Sequence, residues 1–103
     1  MGIHVTPVVS RGTPALGLAV SWVDSQFVMI QTEKGLVSCG VIDKDVMDRA
    51  GAAIAIARGT PEKPLKTVDD LLHATIVDVT SKAAGYGVTV GMTGEEALGI
   101  LSE

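Results

Sequence analysis

From the amino end, branched and apolar residues come in short runs separated by turn residues. Ile3 to Val9 alternates and is rich in β-branched side chains, and Arg11-Gly12-Thr13-Pro14 is a turn cluster. Ala15 to Val23 forms a second run, Phe27 to Thr32 a third, and Leu36 to Ile42 a fourth beyond the Glu33-Lys34-Gly35 loop. The pattern predicts a meander of four strands. Between Phe27 and Ile30 no polar residue interrupts, whereas an antiparallel strand with one wet face should alternate. Both faces are therefore expected to be covered. A chain this short has little material to do so, which assigns one face to a neighbouring subunit.

After Ile42 the period changes. Asp43 stands at a helix N-cap position before Lys44 to Ala50, and Gly51 stops that helix. Ala52 to Ala57 (AAIAIA) reads as a fifth strand, placed by the intervening helix to run parallel to a neighbour. Arg58 to Lys66 (RGTPEKPLK), with two prolines and a glycine, is a loop. Thr67 then caps a helix whose first turn holds Asp69 and Asp70, with Val68, Leu71 and Leu72 as its buried stripe. From Ile76, small or apolar residues at 76, 79, 80, 83 and 84 have helical spacing; the β-branched Ile76, Val77 and Val79 make a strand the competing reading. Thr93-Gly94-Glu95-Glu96 has the capping-box pattern of a last helix, through Leu101. Strands first and helices last define an α+β class: an antiparallel or mixed amino-terminal sheet followed by carboxy-terminal helices. The expected organisation is one small domain over residues 1–103, with a β-rich oligomerisation region at 1–42 and helices with one further strand at 43–103.

Composition narrows the function classes. The chain has 103 residues, 47% of them hydrophobic but only three aromatic, and a net charge of −4. Without a broad basic face or clustered aromatics it lacks the footprint of nucleic-acid binding, so no nucleic-acid partner is expected. Ala50 to Ala57, the longest uncharged apolar run, falls far short of the roughly 18 to 20 residues of a membrane span, so no membrane partner is expected either. MGIHVTPVVSRG has no basic start followed by an apolar stretch, and the single cysteine suits a reducing compartment; the expected location is the cytoplasm.

Candidate chemistry is sparse. Cys39 is the one strong nucleophile, with Gly40, Asp43 and a helix start close behind, although a lone thiol in a strand is more often a small buried hydrophobe. Two distant histidines, His4 and His73, one cysteine and scattered acids have none of the paired spacings of a metal site, and Gly85, Gly87 and Gly91 miss the GxGxxG spacing, so no metal and no cofactor are expected. The loop residues Arg58, Lys63 and Lys66, before the helix start at Thr67, form the remaining candidate, a grip for a carboxylate or phosphate that Asp69 and Asp70 would tend to neutralise.

LVSCGVID (36–43), KTVDDLLHATIVDVTSKAAGYGV (66–88) and VGMTGEEALGIL (90–101) together resemble the YunC-like family, a small bacterial and archaeal domain of unknown function. The resemblance implies an α+β fold whose amino-terminal β region mediates assembly into a tetramer, and it implies no established reaction. Cys39, Gly40 and Asp43 fall on the family's Cys-Gly and Asp positions. Two functions follow from sequence. The first is a homo-oligomeric domain that binds a small metabolite or protein partner without catalysis, with Arg58, Lys66 and Thr67 near any anionic group. The alternative is a small oligomeric enzyme with an inter-subunit site around Cys39 and Asp43.

Overall fold

The computed structural model describes all 103 residues. Two hairpins build its amino-terminal part: β1 (Gly2–Ser10), β2 (Thr13–Trp22) and β3 (Ser25–Gln31) pair antiparallel in succession. Arg11 and Gly12 alone make the first turn, both at positive φ, the geometry of a tight two-residue hairpin. Thr13 and Pro14 belong to the strand. β4 (Leu36–Ser38) pairs antiparallel with β3, and α1 (Lys44–Arg49) then carries the chain to β5 (Ile54–Ala57), which lies parallel to β4 as the strand–helix–strand order requires. The fourth strand is shorter than the Leu36–Ile42 run. Beyond Ser38 the chain must leave the sheet to enter α1, and it turns at Gly40 and Val41.

The largest departure from the periodicity lies at Ile76. Residues Ile76–Val79 form β6, a sixth strand antiparallel to β5, and the helix α3 begins only at Ser81 and runs to Tyr86. The carboxy-terminal region thus holds two strands and not one. Thr80 decides this. Its hydroxyl donates to Ala52 O at 2.7 Å and accepts from Ile54 N at 3.0 Å, while its backbone N–H donates to Ile54 O at 3.0 Å. With Thr80 tied to β5 and fully buried, the β-branched residues before it pair in the sheet, and the helical spacing takes hold only after it. The sheet order is β1-β2-β3-β4-β5-β6.

One face carries the helices α2 (Val68–His73) and α4 (Gly94–Leu101), which pack on β2 to β5 and on each other. Val28, Ile30, Val37, Ala55 and Ala57 meet Leu71, Leu98 and Leu101 there in one core cluster. The two helices approach so closely that a Cβ on Gly94 would sit 2.1 Å from Leu71 O, and only glycine fits. Thr67 and Thr93 each complete a capping box, with Asp70 and Glu96 reaching back, as the sequence predicts.

The opposite face is different. The register aligns Ile3 with Val20 and Phe27, Val5 with Leu18 and Met29, and Pro7 with Leu16 and Gln31. Cross-strand partners share a face, so these rows, polar only at Gln31 at one end, make a continuous largely apolar surface over β1–β3 without a single charged residue. No helix covers it: Ile3 is 71% exposed, Val5 61%, Val9 74% and Leu16 49%. Trp22, at one end, meets Phe27 edge-on with ring centroids 6.0 Å apart. Further along the sheet α1 lies against β5, and Lys44 pairs with Asp78 of β6 at 3.6 Å.

Candidate functional site

β4 and β5 are the one parallel pair, so their carboxyl ends emerge side by side, Ser38 opposite Ile56. One end continues into Cys39-Gly40 and the other into Ala57-Arg58. The Arg58 Nε lies 3.9 Å from the point where a Cβ on Gly40 would stand, so the fold does bring Arg58 beside the Cys39-Gly40 segment. The thiol itself is packed away. Cys39 is 8% exposed, its Sγ accepts the Val28 N–H at 3.4 Å, and its own amide donates to Val28 O at 3.0 Å. Asp43 accepts Val46 N at 3.1 Å and serves as the N-cap of α1. Both residues have full structural employment.

The basic loop is more ordered than its composition suggests. Thr60 and Lys63 exchange backbone hydrogen bonds, both at 3.1 Å, and the Thr60 hydroxyl accepts Lys63 N as well. Leu65 is buried as its anchor, and a Cβ on Gly59 would stand 2.9 Å from Leu65 N. A loop held in one shape loses little freedom on binding. Together with α2 and the start of β6 it encloses a cleft of about 840 Å³, lined by Arg58, Lys63, Lys66 and Glu62 from the loop and by Asp69, Asp70 and His73 from α2. Thr75 and Val77 also line it.

Thr67 does not line this cleft. Its hydroxyl accepts Asp70 N, and Asp70 Oδ2 in turn accepts the amides of Lys66 and Thr67, both at 3.1 Å. Burial pushes the Asp70 carboxyl up, but the Lys66 and Thr67 amides, the Thr67 hydroxyl and the Lys66 charge hold it below the ordinary carboxylate value. The helix start is thus already filled by the protein's own carboxylate. His73, one turn beyond Asp69, donates from Nδ1 to Asp69 O at 2.9 Å; that bond and the Asp69 carboxylate raise its pKa above the usual histidine value. Sequence reasoning took His73 as one of two distant histidines and missed that it shares a cleft with the basic loop. The i, i+4 spacing of Asp69 and His73 was the available signal.

A smaller cavity of about 340 Å³ opens between the first hairpin tip and the helices α2 and α4, next to the ion pair of Arg11 with Glu103. No helix in the chain is long and apolar enough to cross a membrane.

Residues 38–101 match the model of a domain of unknown function, DUF1805, over more than half of the chain. The chain belongs to this family. The uncharacterized protein YunC of Bacillus subtilis (strain 168) is 29% identical over 96 residues, spanning 93% of this chain and 94% of that one. A crystal structure of a protein of unknown function from Thermoplasma acidophilum, TA1206, superposes with a TM-score of 0.86 at 19% identity, covering 97% of this chain and 93% of that one. At that identity the likeness concerns the fold, and it extends over the six-stranded sheet and the helices alike. The YunC-like resemblance of the three sequence segments is thereby borne out, as is the α+β class. The DUF1805 match contains Cys39, Asp43, Arg58, Lys66 and Thr67, whereas β1 to β3 precede it.

Proposed function

We propose that this DUF1805 protein is a homo-oligomeric cytoplasmic domain that assembles through the outer face of β1–β3 and binds a small metabolite or a protein partner without catalysis. The single observation that carries the assembly is the uncharged apolar surface built from the Ile3, Val5 and Pro7 rows. Exposed apolar patches of that extent mark interaction sites, and an uncharged face lets copies of an acidic protein approach without repulsion. Pro7 lacks an N–H and interrupts a full-length ladder on the free edge of β1, which favours packing face to face over strand addition. Trp22 against Phe27 supplies an aromatic anchor of the kind that dominates interface energies. A tetramer is the form the family resemblance implies. The lone thiol supports a reducing compartment, and the charge distribution supports neither nucleic acid nor membrane as a partner.

The binding role rests on Arg58 and Lys66 at the cleft; Thr67, engaged in its capping box, is left out of it. The catalytic version around Cys39 and Asp43 has less support, since the thiol is buried and the carboxylate caps a helix. Sedimentation of the purified protein at micromolar concentration tests the assembly: a tetramer or dimer is expected, and a monodisperse monomer overturns it. Alkylation by iodoacetamide tests the alternative, which would require Cys39 in the native protein to react as fast as a free thiol.

A further inference from the structure

The cleft beside β6 has a charge arrangement that simple surface solvation does not require. Its loop wall carries three cations, Arg58, Lys63 and Lys66, against Glu62, while its helix wall carries Asp69 and Asp70 with His73. Opposite charges therefore line the two sides of one depression. They do not close on each other: the ion pairs of this chain are Arg11 with Glu103, Lys44 with Asp78, and His73 with Asp69. Neither Arg58 nor Lys63 meets a carboxylate, and the guanidinium of Arg58 makes no hydrogen bond at all within the protein. On the opposite wall Asp70 is committed to two backbone amides, which leaves the Asp69 carboxylate, held only by His73 at 3.7 Å, as the acceptor available to a cation.

We infer that this cleft binds a small zwitterion, an α-amino acid or a short peptide with free termini, with its carboxylate on Arg58 and Lys63 and its ammonium group on Asp69. A purely anionic ligand would be drawn to the loop but repelled by the helix wall, and a cation would meet the reverse. A molecule carrying both charges satisfies the two walls at once. The planar fork of Arg58 suits a carboxylate, for which it offers paired donors. The hydrogen bonds between Thr60 and Lys63 hold the loop wall in one shape before the ligand arrives. The lining is mostly polar, with the threonines Thr60 and Thr75 able to serve peptide amides, and the volume of about 840 Å³ accommodates more than a single amino acid. The inference rests on the reading of this protein as a binding domain and names the ligand class for that cleft.

Amide-resolved NMR titration of the intact protein tests it, with glutamate, glycine and triglycine as zwitterionic probes. The controls are triglycine blocked by acetylation and amidation, succinate and inorganic phosphate, all at equal millimolar concentration and constant ionic strength. Saturable shifts confined to residues 58–66 and 69–77 are expected from a zwitterion, with about tenfold weaker binding of the blocked peptide. Arg58→Gln and Asp69→Asn should each abolish them while leaving the rest of the spectrum unchanged. Glycine or glutamate as effective as triglycine would identify a free amino acid as the ligand form; triglycine alone would identify a peptide. Succinate or phosphate shifting the same amides as strongly as every zwitterion overturns the inference in favour of a plain anion site. No shift in the cleft with any probe also overturns it, whereas the oligomer seen by sedimentation of the same sample reports separately on the assembly reading.

Discussion

The two faces of the sheet teach opposite lessons about the same kind of residue. On one, Val28, Ile30 and Val37 are completely buried under α2 and α4 and make the fold. On the other, Ile3, Val5 and Leu16 are no less hydrophobic yet stand in solvent. The difference lies in where the helices fall along the chain. All four follow β4; of these, α2 and α4 reach back over one side of the earlier strands, while α1 lies further along the sheet against β5, so the other side of β1–β3 stays open. Apolar content on the covered side stabilises the single chain; on the open side it contributes nothing until something else covers it.

That contrast can be broken at several points. Leu71→Ala, at the centre of the covered side, should cost about 2–5 kcal/mol of unfolding free energy, read by urea denaturation, because the close contact between α2 and α4 leaves little room to collapse around the cavity. Assembly should respond the other way. The double change Val5→Glu with Leu16→Glu, on the open side, should leave the stability of the isolated chain within about 1 kcal/mol but weaken association by about a hundredfold or more, as like charges face each other across the interface. If the stability of the chain collapsed instead, the open face would be part of the core. A smaller effect is expected at the junction of the two regions: Thr80→Val deprives Ile54 N and Ala52 O of a buried partner and should cost about 1–3 kcal/mol, with assembly unchanged by sedimentation.

The mildest test is pH. Asp48, held low by the Ser81 backbone N–H and hydroxyl, and Asp70, held low by its amide partners, contribute stability that is present at neutral pH and lost as pH falls through their depressed native values. His73 has the opposite sign: its raised pKa contributes stability below the ordinary histidine value of 6.5, lost as pH rises through the native value. All three groups are on the surface, so both limbs should be shallow in a denaturation series across pH and flattened by salt. His73→Gln should remove the alkaline limb alone.

Much of the fold was legible because it is set by local chemistry. The turn at Arg11-Gly12, the caps at Asp43, Thr67 and Thr93, and the parallel return of β5 after α1 each follow from residues near one another in the chain. The segment from Ile76 was not legible in the same way. Its side chains satisfy both periods, and the choice between them was made by Thr80 bonding to Ile54 of β5 and to Ala52 just before that strand, 26 and 28 positions earlier. The candidate site divides similarly. Arg58 and Lys66 stand out by charge, but their meeting with Asp69 and His73 across a cleft depends on how a loop with two prolines folds back on itself.

Sequence alone therefore determined the class, the order of strands and helices as far as α2, the helix starts at Asp43, Thr67 and Thr93, and the absence of alternation that marks a sheet with two apolar faces. Tertiary structure decided which face the helices cover, that Cys39 lies packed against Val28, and that a carboxylate of the chain fills the start of α2. The physical reason is range. Capping, turn chemistry and side-chain period act within a few residues, whereas burial and the meeting of charges depend on segments that only the complete sheet brings together.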